Sequence, residues 1–187
     1  MTAFDHFNIL APIYERVIKP KPPTDLLTHL QLPQGAQVLD VGGGTGRIAQ
    51  AVIPYAGNIT ILDLSPNMLR EAAKKPGLHG VLAPSEKLPY PDGTFDAVMM
   101  VDALHHVVDQ RASLQELFRV IKKGGRLVVE EPDIHTFMVK LIAVGEKLLG
   151  MRSHFLAGEE IAQMLGDCCK EARIYRKEYT VWVVLEK

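Results

Sequence analysis

Three groups of residues in this chain are spaced so that together they could do chemistry. Gly42, Gly43, Gly44 and Gly46 follow the apolar run Val38, Leu39 and Val41, with an acid, Asp40, set inside it. Glycine permits positive φ and lets a ligand lie against the backbone, so a strand ending in such a turn reads as a nucleotide-type site. A second acid, Asp63, closes the next apolar run, at the separation (about 20 residues) from which a carboxylate can reach a ribose. The pair His105 and His106, and the acid Glu131, each follow a further apolar run. Imidazole titrates near neutral pH, so the histidines are candidate bases for an acceptor hydroxyl.

The turn does not fit the dinucleotide fingerprint G-x-G-x-x-G. Counted from Gly42, the third glycine falls early, at Gly46, and Arg47 stands where glycine is required. Asp40 at the mouth of the turn would repel a pyrophosphate and attract a cation. S-adenosylmethionine, with an ammonium, a sulfonium and no phosphate, answers that demand.

The run VLDVGGGTGRIA, Val38 to Ala49, resembles motif I of the class I S-adenosylmethionine-dependent methyltransferases. Ala83 to Val98 is similar to that family's D-A-E-x-L-P-F-x-D-x-S-F-D-x-V, and Val101 to Asp109 to its L-H-H-(V/L)-x-D stretch. Leu114 to Leu127 resembles L-x-E-x-x-R-V-L-K-P-G-G-x-L, with Lys123 in place of the usual proline, and reads as structural. The order of the motifs is the family's order. The narrower group resembled is the small-molecule methyltransferases that include the quinone-biosynthesis C-methyltransferases.

The resemblance implies a role for each matching residue. Asp63 would accept from both ribose hydroxyls, and Leu64 and Met68 would wall the adenine. Pro84 replaces the Asp that usually accepts from the adenine amino group, so that contact comes from Ser85, from backbone, or is missing, with Glu86 kept beside it. Asp102, His105 and His106 would line the cofactor and substrate pocket, and Glu131 would orient a histidine or bind substrate. Tyr14, in a segment similar to A-P-x-Y-(D/E), would belong to a lid over the pocket. Each also has a plainer reading: Asp63 as a helix cap, Glu86 as a solvated charge, one histidine packing and the other facing solvent, Glu131 as part of an acidic turn.

The elements that must position these residues alternate. Strands are expected at Val38–Val41, Asn58–Leu64, Leu78–Ala83, Phe95–Val101 and Arg126–Glu130. Helices are expected from Pro22 or Pro23 to Leu30, Gly46–Tyr55, Met68–Lys75, Gln110–Ile121, His135–Leu149 and Gly158–Cys168. Strand–helix alternation implies right-handed crossovers and a parallel sheet. Two closely spaced β-rich runs, Ala172–Tyr175 and Thr180–Leu185, predict a terminal antiparallel hairpin. The expected fold is therefore α/β, a Rossmann-like three-layer sandwich with a seven-stranded, mainly parallel sheet. It forms one domain over 1–187, with lid helices in 1–30 and a cap helix in 135–155.

Composition narrows the partners. A chain of 187 residues, 47% hydrophobic and 23% charged, can bury one good core. A net charge of −1 supplies no field for nucleic acid or an anionic membrane, so a small-molecule substrate is expected. No apolar run has the length of a membrane span and the first residues lack signal-peptide order, so a cytoplasmic location is expected. The only cysteines, Cys168 and Cys169, are adjacent and read as reduced thiols, with no zinc spacing. Nothing in the pattern specifies an oligomeric state.

Methyl transfer from a sulfonium is an SN2 displacement with a good leaving group, so alignment alone can contribute roughly 7–11 kcal/mol. A base is needed for a hydroxyl acceptor and less for other nucleophiles. The apolar segments Phe4–Tyr14 and His135–Leu149 suggest an acceptor with a hydrophobic body and an O-, C- or N-nucleophile. The rival readings are a non-catalytic S-adenosylmethionine-binding scaffold and an NAD-dependent reductase.

Overall fold

A computed structural model describes residues 23–148, 153–166 and 171–187. Helix α1 (Thr24–Leu30) leads to β1 (Gln37–Val41) and α2 (Arg47–Val52), then β2 (Asn58–Asp63), α3 (Pro66–Ala72) and β3 (Leu78–Leu82). A loop follows, then β4 (Phe95–Val101), a single 3₁₀ turn (Leu104–His106) and α4 (Gln110–Arg119). The chain continues through β5 (Ile121–Pro132), α5 (Phe137–Leu148), α6 (Gly158–Leu165), β6 (Ala172–Lys177) and β7 (Thr180–Glu186).

The strands form one seven-stranded sheet in the order β3-β2-β1-β4-β5-β7-β6. Pairing is parallel from β3 to β5 and antiparallel where β7 meets β5 and β6. Strands buried on both faces must be apolar at successive positions, and β1 shows it. Val38 packs with Leu26, Ala49, Val52 and Ala72 of α1, α2 and α3 on one face. Leu39 and Val41 pack with Leu114, Leu117, Ile161 and Leu165 of α4 and α6 on the other. The result is the expected three-layer sandwich with its terminal hairpin.

Several boundaries differ from the sequence reading for local reasons. Helix α3 begins at Pro66, ahead of the periodic run that starts at Met68, because Ser65 and Pro66 open it as their residue types lead one to expect, the Ser65 hydroxyl accepting from the Met68 amide at 3.2 Å. It ends at Ala72, before Pro76 and Gly77. Strand β5 begins at Ile121, not Arg126. Phe95 already pairs with Ile121, and the register then shifts so that Ala97 faces Arg126. Gly124, at φ 76, and Gly125, whose Cβ would lie 2.7 Å from the Asp96 carbonyl, therefore form a bulge inside the strand. Helix α6 ends at Leu165, short of Cys168. Tyr14 and most of the 1–30 segment, together with Cys168 and Cys169, lie outside the described residues.

Candidate cofactor and acceptor site

Helix α2 returns over one face of the sheet after β1, and α4 over the other after β4, while β1 and β4 are neighbours. Ligands of open α/β sheets sit at such a switch point, beyond the carboxyl ends of the strands. The glycine turn after β1 and the loop after β4 form its two sides.

The glycines serve two separate needs. Gly42, Gly44 and Gly46 have φ of 71, 55 and 75, while Gly43 does not use the positive φ that glycine permits. Gly43 is required for space, since its Cβ would lie 2.6 Å from Asp40 Oδ2. A Cβ on Gly42 would lie 2.5 Å from the Ala103 Cβ, so the two sides of the crevice touch there. The turn is tied to β2 by the Gly42 amide, which donates to the Leu62 carbonyl at 2.7 Å, and the Gly44 amide, which donates to Asp63 Oδ2 at 2.9 Å.

Asp63 thus supports the turn as well as standing at its rim. Its Oδ1 accepts from the Ser65 amide at 2.8 Å. Each carboxylate oxygen can accept more than one bond. Leu64 beside it is 65% exposed and can present an apolar wall. Met68 is buried, with its sulfur 3.8 Å from where a Gly44 Cβ would be, so it lies beneath the turn rather than on an open wall.

Asp40 is wholly buried, and its Oδ2 has no hydrogen-bond partner among the described residues. Burial, and next the Asp63 charge, push its carboxyl up to about 7, with Arg47 partly opposing.

The loop after β3 carries Ser85 and Glu86. The Ser85 hydroxyl is 2.8 Å from that of Ser113 on α4, so it is directed into the protein. Glu86 Oε2 accepts from Ser85 at 3.3 Å and its Oε1 from the Asp109 amide at 3.4 Å. Both bonds are long.

After β4, Asp102 takes φ 51, uncommon for a residue with a Cβ. His105 and His106 separate in role. His105 is buried, its Nδ1 is 2.5 Å from Glu131 Oε2, and its ring stacks on Phe155 at 4.3 Å. Glu131 Oε1 accepts from the Ala103 and Leu104 amides at 3.0 and 2.7 Å. Glu131 therefore holds the loop after β4 and is not a solvated turn residue. His106 is only partly buried, and its Nδ1 lies 3.3 Å from the Ser153 hydroxyl. Burial, then the neighbouring His105 charge, push its imidazole down to about 4, so it is neutral at pH 7.

The methyltransferase-domain family matches residues 39–129, the span that contains this turn, both acids and the histidine pair. The 2-methyl-6-phytyl-1,4-hydroquinone methyltransferase 1 of Oryza sativa subsp. japonica is 34% identical over 146 residues. That alignment takes in 72% of this chain and 44% of the relative. The chain belongs to the class I S-adenosylmethionine-dependent methyltransferases. The ubiquinone/menaquinone biosynthesis C-methyltransferase UbiE of Cronobacter sakazakii is 37% identical over 108 residues, 52% of this chain and 43% of that protein. The chain thus spans less than half the length of these relatives. Among solved structures, an S-adenosylmethionine-dependent methyltransferase from Thermotoga maritima aligns with TM-score 0.78 at 23% identity, over 95% of this chain and 96% of that one. The methyltransferase-family chain in a complex with the Trm112 activator of Haloferax volcanii aligns with TM-score 0.80 at 16% identity, over 98% of both. These two likenesses concern the fold.

S-adenosylmethionine is the cofactor of this methyltransferase family, and the residues present fit it. The buried, unpartnered Asp40 oxygen favours a cationic guest, and a side chain added at Gly44 would meet only the Met68 sulfur within 4 Å. Among the described residues no cluster could hold a metal ion, and no helix is long and apolar enough to cross a membrane. Sequence reasoning missed Phe155 and Gln110. The Gln110 amide donates to the Leu104 and His154 carbonyls at 3.0 and 2.7 Å, fastening the segment after α5 to the histidine turn. Only their tertiary neighbours distinguish them from ordinary core and helix residues.

Proposed function

We propose that this chain transfers the methyl group of S-adenosylmethionine to a small organic acceptor with a hydrophobic body. The observation that carries the reading is the pair of acids flanking the glycine turn, Asp40 beneath it and Asp63 bonded to the Gly44 amide. Negative charge at Asp40 beneath the turn suits a cation and repels a pyrophosphate, which disfavours the reductase reading, whereas Asp63 would serve a ribose in either case.

Bound there, S-adenosylmethionine supplies an electrophilic methyl on a positively charged sulfur. Asp63 holds the ribose, Leu64 covers one side of the adenine, and the Gly42–Gly46 backbone lets the ligand approach closely. Asp40 supplies negative charge below the turn. Glu86 and Asp102 stand at the rim, while Ser85 and Met68 act from below by supporting the loop and the turn. Tyr14 would close the site from the N-terminal segment. His106, neutral at working pH, offers a ring nitrogen to an acceptor hydroxyl, and His105 with Glu131 fixes the loop that carries it.

The acceptor's apolar character is supported by α5, where Phe137, Met138, Leu141 and Ile142 are exposed beyond the end of β5. The names of the two relatives, a phytyl-hydroquinone and a ubiquinone/menaquinone methyltransferase, agree with an acceptor of that kind. The near-neutral charge argues against a nucleic acid partner, and we place the reaction in the cytoplasm, on a single domain with caps at 1–30 and 135–155.

The test is calorimetric titration with S-adenosylmethionine, S-adenosylhomocysteine and NADH, alongside Asp63→Ala. Saturable binding of the first two, lost in the variant, is expected and leads to an acceptor screen. Binding of NADH instead overturns the reading. Cofactor binding with no turnover on any phenolic, hydroquinone or amine acceptor would favour the scaffold.

A further inference from the structure

The loop from Pro84 to Asp92 has no strand or helix of its own. It leaves β3 beside the acid that ends β2, where the Ala83 amide donates to the Asp63 carbonyl at 3.3 Å. One face of α4 and its cap holds it at successive levels. The Asp109 amide meets Glu86, and one turn on the Ser113 hydroxyl meets that of Ser85. At the far end, Glu116 Oε2 accepts from the Leu88 amide at 2.8 Å. Positions 109, 113, 116 and 119 recur at helical spacing, so one stripe does all of this.

Arg119 completes the stripe. Its guanidinium donates to the Tyr90 carbonyl at 2.9 Å, the Leu88 carbonyl at 3.3 Å and Asp92 Oδ1 at 2.7 Å. Glu116 orients it through a two-point contact, Nε to Oε1 at 2.6 Å and Nη2 to Oε2 at 2.9 Å. A planar fork that serves two carbonyls and two carboxylates at once cannot be replaced by a lysine ammonium.

We infer that Arg119, oriented by Glu116, is a positioning residue that locks the Pro84–Asp92 loop in its cofactor-receiving shape and so sets S-adenosylmethionine affinity without touching the cofactor. The inference rests on the methyltransferase reading above. A loop held before binding does not have to be ordered during binding, and that saving appears as affinity.

The experiment titrates S-adenosylhomocysteine into the wild type, Arg119→Gln and Arg119→Lys, and follows amide hydrogen exchange over Lys87–Gly93. Arg119→Gln is expected to weaken binding about tenfold, the scale of ordering a few loose residues at binding. Faster exchange should be confined to the loop, with β1, β4 and β5 protected as before, and Arg119→Lys should recover only part of the affinity. The same loss should fall on KM for the cofactor, leaving kcat at saturation intact. Affinity in Arg119→Gln within about twofold of wild type overturns the inference alone. A wild type that binds no S-adenosylhomocysteine overturns both the inference and the methyltransferase reading. Should Arg119→Gln fail to fold, Asp92→Asn, at a side chain 79% exposed, takes its place. A loss of about two- to threefold is then expected, and unchanged affinity overturns the inference.

Discussion

His105 and Glu131 form a closed pair, with Nδ1 and Oε2 2.5 Å apart and the two side chains only 6% and 4% exposed. The second Glu131 oxygen is taken by the Ala103 and Leu104 amides. The pair therefore joins the end of β5 to the turn after β4 and holds that side of the crevice in place.

Removing one member should leave buried groups unpaired. Glu131→Ala is expected to lower stability by about 3–5 kcal/mol in urea unfolding. Glu131→Gln keeps an acceptor for the two amides and should cost about 1–3 kcal/mol. If Glu131 instead acted on substrate, Glu131→Gln would lose activity with its stability unchanged.

Asp40 predicts a pH dependence. Its folded-state pKa is raised from 3.8 to about 7, so between those values the folded protein binds a proton that the unfolded chain has released. Stability is then fully present below about pH 4 and falls as pH rises through 7, by a total of the order of 4 kcal/mol. Glu130, pushed up to about 7 by burial despite the Trp182 indole N–H it accepts, acts in the same direction. Asp40→Asn should flatten the profile in part, leaving the Glu130 share. A cationic cofactor favours ionised Asp40, so S-adenosylmethionine affinity should rise between pH 6 and 8 in the wild type and not in the variant.

Gly43 tests the close approach of turn and acid. A Cβ there would lie 2.6 Å from Asp40 Oδ2, 2.7 Å from its Cγ and 2.9 Å from the Ile61 Cγ2. Gly43→Ala is expected to cost about 1–3 kcal/mol by overpacking. Melting should fall by several degrees, and titration should show cofactor binding lost through displacement of Asp40.

His106 predicts a flat profile. With its imidazole pushed down to about 4, it stays neutral from pH 5 to 8 and contributes no inflection near 6.5 to kcat/KM. For a hydroxyl acceptor, His106→Ala should lower kcat about 10²-fold. An inflection near 6.5 that vanishes in the variant would contradict this account.

Much of the fold was legible because it depends on local period and on turn chemistry. The apolar runs around Leu39, Ile61, Val98 and Val128 announced strands buried on both faces, and the short gap between β6 and β7 announced the hairpin. β5 starts before the strand pattern does because its first residues hold two glycines, which locally look like a turn. Only pairing of Ile121 with Phe95 makes that stretch part of the sheet.

The same division runs through the site. The residue types and spacing of Asp40, Gly42–Gly46 and Asp63 pointed to a cationic nucleoside before any tertiary contact was known, because charge sign and glycine geometry are local properties. Which carboxylate or imidazole faces the crevice was decided only by tertiary packing. His105 and His106 are adjacent and chemically identical, yet Glu131 and Phe155 bury one while the other is only half-buried and meets Ser153. Ser85, Glu116 and Arg119 found their partners the same way, because a polar side chain packed between elements takes whatever group the neighbouring element presents.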